Sequence, residues 1–202
     1  MRVIAGQYRG RTLQSPPGLG TRPILDRVKG SLFDWLGSRL ALPGHLPPVN
    51  VCDMFCGGGS QGIEAMSRGA AFCAFIESDP VALKCLRENL ATIKLSSGVA
   101  VVAKTAETAT AKPPDSRGFS IVFVDPPFKL SENVTPGTVM GQVIARLGNQ
   151  IPVEPDALVL WRHDEACKLP ATLPGGWTCT DSRSWGTNAI TLFERVSAEG
   201  AG

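Results

Sequence analysis

The sequence predicts an α/β domain built on a mostly parallel sheet, and three observations predict it. Apolar runs alternate with helical stretches from residue 49 onward, the pattern of repeated βαβ units. The chain has 202 residues, 43% of them hydrophobic, enough for one catalytic domain with a proper core. One apolar run, VCDM, leads through a glycine cluster straight into a helical stretch, a junction that α/β folds use for ligands.

The opening segment, MRVIAGQYRGRTLQSPPGLGTRP, mixes short β-like pieces with glycine and arginine, and reads as a hairpin and loop outside the core. From Ile24 to Leu40 the apolar positions Leu25, Val28, Leu32, Phe33, Trp35 and Leu36 recur at helical spacing, with Pro23 placed as a first-turn proline. The proline-rich stretch ALPGHLPP then marks a junction, so residues 1–42 form an N-terminal extension and 43–202 the catalytic domain. Strands are expected at Val49 to Met54, Phe72 to Glu77, Val99 to Ala103, Ser120 to Val124 and Ala157 to Trp161. Helices are expected over Gln61 to Arg68, Pro80 to Leu95 and Val134 to Leu147. Trp177 to Val196 reads as two strands around Ser184-Trp185-Gly186-Thr187, close enough in sequence to pair antiparallel.

Formal net charge is only +2. Residues 1–39 nevertheless carry seven basic groups against two acidic ones, a local +5 that leaves −3 for the remainder. Such an asymmetry suits an arm that grips phosphates and releases their counterions; a solvated surface would look the same. Six cysteines occur with no C-x-x-C pair, and there are two histidines, which is not a zinc pattern. Cys52, Cys73 and Cys85 lie in apolar runs or a helix and read as buried hydrophobes. No apolar stretch approaches bilayer length. A reducing, cytoplasmic setting with no metal and no membrane partner is expected.

Gly57, Gly59 and Gly62 satisfy G-x-G-x-x-G between a strand and a helix, where the backbone can turn sharply and approach a ligand. Alone this signal is weak, and the acids around it decide the ligand. Asp53 precedes the glycines, where a carboxylate would repel a pyrophosphate but can hold the ammonium group of S-adenosylmethionine. Glu77 ends the second strand and can accept hydrogen bonds from both ribose hydroxyls. Asp79 is a helix cap before Pro80.

The fourth strand ends in Asp125-Pro126-Pro127-Phe128. An amine on an aromatic base is a poor nucleophile because its lone pair is delocalised into the ring. A site that methylates it must accept its hydrogens and turn the lone pair out of the ring plane. The Asp125 carboxylate and the Pro126 carbonyl can do this, Pro126 and Pro127 stiffen the backbone, and Phe128 can stack on a base flipped out of its helix. The leaving group, a sulfonium, needs no acid, so catalysis reduces to positioning. A Pro-Pro turn with a packed aromatic is the bland alternative.

With these motifs in order, the chain resembles the class I Rossmann-like methyltransferases. MRVIAGQYRGRTL, RPILDRVKGSLFDWL, CDMFCGGGSQGIEAMSRG, FIESDP and IVFVDPPF together resemble the bacterial 16S ribosomal RNA guanine-N2 methyltransferase family over almost the whole chain. That resemblance implies a seven-stranded sheet with helices on both faces, preceded by a β-hairpin and helix that assist RNA binding. It also implies a guanine of small-subunit rRNA as target, with 16S rRNA or the assembling subunit as partner; a monomer is expected. Asp53, Phe55, Gly57, Gly59, Glu77, Ser78 and Ala106 would hold the cofactor, and Arg9, Arg11, Arg22 and Arg27 the RNA. Trp185 stands where the family carries an aromatic. The chain departs from the pattern at Ile24, Gly30, Lys104-Thr105-Ala106 and Trp161-Arg162, the last where an acid is frequent in relatives. A DNA adenine-N6 methyltransferase, an idle RNA-binding assembly factor and a NAD dehydrogenase remain as other readings; Asp53 and the Asp-Pro-Pro-Phe motif count against the last.

Overall fold

The computed structural model describes residues 1–17, 24–40 and 42–195. Arg22 and Pro23, and the roles expected of them, lie outside the described residues. Among the described residues thirteen elements follow in order: α1 (Asp26–Arg39), β1 (Asn50–Met54), α2 (Ser60–Ser67), β2 (Phe72–Glu77), α3 (Pro80–Thr92), β3 (Val99–Ala103), β4 (Phe119–Val124), α4 (Phe128–Ser131), α5 (Val139–Arg146), β5 (Val153–Asp164), β6 (Thr172–Leu173), β7 (Trp177–Trp185) and β8 (Asn188–Arg195).

The strands form one sheet in the order β3-β2-β1-β4-β5-β8-β7-β6. The first five positions are parallel; β5–β8, β8–β7 and β7–β6 are antiparallel. Seven of the eight strands are those expected, and the eighth is the two-residue β6, too short to carry a periodic signal. Alternate residues of each strand face two cores. One face, with Val51, Cys73, Phe75, Ile121 and Phe123, meets α1, α2 and α3; the other, with Cys52, Ile76, Val122, Val124 and Trp161, meets α5.

The start of α5 differs from the expected Val134, and local chemistry explains it. Pro136 disfavours helical geometry at Thr135, and the Thr138 hydroxyl caps the helix by accepting the Gly141 N–H at 3.2 Å. Asp79 caps α3 as expected, accepting from Val81 and Ala82 at 2.8 Å.

Contrary to the reading of the opening segment as lying outside the core, the hairpin contributes Val3 and Leu13, both almost fully buried, and α1 packs directly on the sheet, with the Phe33 and Phe123 rings 5.7 Å apart. The hairpin itself closes at the bridge Arg2 to Thr12, with the Val3, Gly10 and Leu13 N–H groups donating to the Arg11, Val3 and Met1 carbonyls at 2.9 Å. What fixes it is a buried charge cluster. Glu64 of α2 accepts the N–H groups of Ile4 and Ala5 at 2.8 and 3.0 Å and the Arg68 Nε at 2.8 Å. Lys29 of α1 lies 3.6 Å from the same carboxylate and donates to the Arg2 carbonyl and the Ser60 hydroxyl. Burial pulls the Lys29 ammonium below its usual range, and Glu64 opposes that pull. Lys29 is therefore a structural cation, although the charge count of the arm includes it.

Candidate active site

Parallel strands bring their carboxyl ends to one edge, and the expected cofactor and transfer residues converge there. Between β1 and α2 the chain turns through Phe55 and Cys56 into the glycines. Phe55 has φ +58°, a left-handed conformation costly for a residue with a Cβ. Gly59 has φ +82°, and a Cβ on it would meet Leu86 Cδ1 at 2.4 Å; one on Gly62 would meet Phe75 Cε1 at the same distance. The last two glycines thus let α2 lie close against β2 and α3, while a Cβ on Gly57 would find open space.

Two carboxylates organise the loop. Glu77, at the end of β2, accepts the Gly57 N–H at 2.9 Å through one oxygen and those of Ser78 and Asp79 at 2.8 and 2.9 Å through the other. Asp53 is 1% exposed, and one oxygen accepts the Gly62 N–H at 2.8 Å. Its other oxygen, Oδ1, is buried without a hydrogen-bond partner. Desolvation pushes the Asp53 carboxyl up to about 8, against the pull of the Gly62 N–H. Ser78 is exposed beside Glu77, whereas Ala106, in the loop after β3, is packed into the core.

That burial sets a pH dependence. The unfolded chain ionises Asp53 near 3.8 while the folded chain holds the proton to about 8, so the stability contributed is fully present below 3.8 and is lost as pH rises toward 8. Asp53→Asn lacks this slope and keeps the Gly62 bond. In urea unfolding, the stability of the variant relative to the parent is expected to rise between pH 4 and pH 8 and then level off.

One strand over, the Asp125 N–H donates to the Met54 carbonyl at 3.3 Å, which ties the transfer motif to the glycine loop. Pro126 is buried, Pro127 is exposed, and Phe128 begins α4 with its ring partly exposed. The Asp125 carboxylate receives Gln61 Nε2 on Oδ2 at 3.0 Å and Arg162 Nη1 on both oxygens at 3.0 Å. Burial raises its carboxyl above the usual range, with Arg162 and Gln61 opposing. Arg162 also donates to Asn188 Oδ1 from Nε and Nη2, and its guanidinium carbon stands 5.3 Å from the centre of the Phe128 ring.

Sequence reading missed Gln61 and Arg162 as neighbours of Asp125, and Asn188 as the partner that holds Arg162. Only Arg162 left a signal, as a charge inside the apolar run ALVLWRH. Asn89 of α3 was missed as well. Its side chain accepts the Gln14 N–H at 2.8 Å and donates to the carbonyls of Gln14 and Gly58 at 3.0 and 2.8 Å, pinning the end of the hairpin arm to the glycine loop.

The basic residues lie elsewhere. The hairpin tip that carries Arg9 is bonded to Ser67, the last residue of α2, through Gln7 and Tyr8. Arg9 thus lies by the carboxyl end of α2, whereas the glycine loop lies at its start. Arg9, Arg11 and Arg27 are exposed and have no ion pair among the described residues, whereas Arg2 pairs with Asp26 at 3.0 Å and Arg39 with Glu194. Asp26 therefore does not pair with Arg27. Among the described residues no cluster suited to a metal ion occurs, and no helix is long and apolar enough to cross a membrane.

A sheet of this order, with a glycine loop after β1 and Asp-Pro-Pro-Phe after β4, defines a Rossmann-like class I methyltransferase. Residues 1–194 match the family described as Conserved hypothetical protein 95. The chain is 33% identical to the ribosomal RNA small subunit methyltransferase D of Escherichia coli over 195 residues, 96% of this chain and 90% of that one. The Haemophilus influenzae protein of the same name is also 33% identical, with 96% and 93% covered. The solved Escherichia coli structure of yhhF aligns with a TM-score of 0.75 at 31% identity, 98% of each chain being covered. The chain belongs to the Conserved hypothetical protein 95 family and is a methyltransferase, as the resemblance in its motifs implied.

Proposed function

We propose that the protein transfers a methyl group from S-adenosylmethionine to the exocyclic N2 of a guanine in 16S rRNA. The observation that carries this reading is the adjacency, on β1 and β4, of a buried acid with an unpartnered oxygen and a carboxylate at an Asp-Pro-Pro-Phe motif. The two relatives named for the small-subunit rRNA supply the class of substrate.

The residues fit the cofactor. Asp53 Oδ1 is a buried acceptor in want of a donor, which an ammonium group provides. Glu77, already ordered by three backbone N–H groups, keeps one acceptor site, on the oxygen that receives Gly57, for a ribose hydroxyl. Phe55, Gly57 and Gly59 shape the loop, with Ser78 and the backbone at Ala106 flanking it. When bound, S-adenosylmethionine supplies an electrophilic methyl carbon on a sulfonium leaving group.

The chain's own residues then prepare the nucleophile. Oδ2 of Asp125 carries two donors and Oδ1 one, so Oδ1 keeps a site for one amine hydrogen. The Pro126 carbonyl accepts the other, and the nitrogen lone pair is turned toward the methyl carbon. Phe128 stacks on the base, which must leave its helix or loop to arrive. As the nitrogen–carbon bond forms, the surplus amine proton passes to Asp125, whose raised affinity for protons suits it to accept.

Phosphates are held by Arg9, Arg11 and Arg27, and by Arg22 from outside the described residues. Because Arg9 stands by the end of α2 remote from the glycine loop, it holds RNA away from the target nucleotide. Replacing Arg9 and Arg11 by alanine is expected to weaken rRNA binding and to reduce the salt slope of log K by about 2. An unchanged slope in binding measured from low to moderate salt would remove these residues from the interface. Isothermal titration with S-adenosylmethionine, followed by transfer of labelled methyl groups to small-subunit rRNA, tests the reading as a whole. An absence of cofactor binding favours an idle RNA-binding factor, and methylation of DNA adenine favours the other enzyme.

A further inference from the structure

We infer that Arg162 is a positioning residue for the transfer, fixing the Asp125 carboxylate and the Phe128 ring relative to one another so that a base is gripped at its amine edge and its face together. This rests on the amine-methylation reading above.

β5 carries Trp161 and Arg162 side by side, and successive strand residues point to opposite faces. On one face the fully buried Trp161 donates its indole N–H to Ser131 Oγ at 3.0 Å, anchoring the far end of α4. On the other, Arg162 holds the near end, with Nη1 on Asp125 and the guanidinium over Phe128. The segment from Asp125 to Ser131 is thus clamped from both faces by adjacent residues of the neighbouring strand.

The Arg162 side chain is only 6% exposed. Ion pairs this deep contribute little to stability compared with apolar residues of similar volume, so stability is a weak reason for an arginine here. Its geometry offers a better one. A guanidinium is planar and rigid, and with Asn188 holding Nε and Nη2 it has little freedom about its own plane. Asp125 is therefore oriented by a fixed object, and the Phe128 ring centre stands 5.3 Å from that object's central carbon. Lysine, a flexible point charge, would supply the charge without the plane.

The test compares the parent chain with Arg162→Gln and Arg162→Lys. It measures kcat and KM for methyl transfer to small-subunit rRNA across pH, cofactor affinity by titration, and the titration of Asp125 by carboxyl carbon NMR, its signal identified by its loss in Asp125→Asn. Arg162→Gln is expected to lower kcat by about 10²-fold with cofactor affinity unchanged. It should also move the acid limb of the rate profile and the Asp125 midpoint upward, because the charge that opposes desolvation is gone. Arg162→Lys is expected to restore the midpoint but only part of kcat, since it lacks the plane. An unchanged Asp125 midpoint in Arg162→Gln, or a loss of rate no greater than the loss of folded protein, overturns the inference. If the parent transfers nothing to rRNA the substrate reading falls instead, and the Asp125 midpoint still decides whether Arg162 governs that carboxylate.

Discussion

Asp125→Asn is expected to lower kcat for methyl transfer by about 10²-fold or more, with cofactor affinity nearly unchanged. The reason is specific to hydrogen-bond chemistry. An asparagine oxygen can still receive Arg162, but its NH2 group replaces a carboxylate oxygen and cannot accept an amine hydrogen or the departing proton. Asp125→Ala is expected to abolish transfer, and adds a second effect. It removes the counter-charge of the buried Arg162, and stability is expected to fall by about 3 kcal/mol. Retained activity in Asp125→Asn, measured with saturating cofactor, would sink the role assigned to this carboxylate.

The largest effect on stability is expected at Glu64, a residue with no part in the chemistry. Glu64→Ala leaves Lys29 and Arg68 buried without their shared counter-charge, and the Ile4 and Ala5 N–H groups without an acceptor. A loss of about 3–5 kcal/mol is expected. Glu64→Gln, which keeps one acceptor, is expected to cost less. Urea unfolding at neutral pH checks both. A loss below about 1 kcal/mol for Glu64→Ala would mean that the hairpin is held by Val3 and Leu13 and not by the charge cluster.

That cluster also marks the limit of what the chain's residues disclose in order. The parallel strands were legible because a strand covered on both faces is a continuous apolar run, as in IVFV and ALVLW. The cofactor loop was legible because glycine and acid spacing follow from backbone geometry near a ligand. The buried role of the opening segment was not, since Val3 and Leu13 are two isolated apolar residues among arginines and no period announces them. Lys29 was counted with the phosphate-gripping arm because a charge count is blind to partners. Asn89, Gln61 and Asn188 act through contacts that span long stretches of chain. Nothing local distinguishes them from surface amides. Trp161 and Arg162 stood out as a departure from the family pattern, and the structure gives each a partner on the transfer segment, Ser131 for one and Asp125 for the other.

The central claim is that Asp125 to Phe128 hold a guanine of small-subunit rRNA for methylation at N2. Mass mapping of guanines in rRNA from cells with and without this protein tests it most directly. The expected result is one 16S guanine that carries a methyl group on its exocyclic nitrogen only when the protein is present, and that stays unmethylated when the Asp125→Asn variant replaces it. A guanine methylation pattern identical in both cells, or a mark that appears on another base, would contradict it.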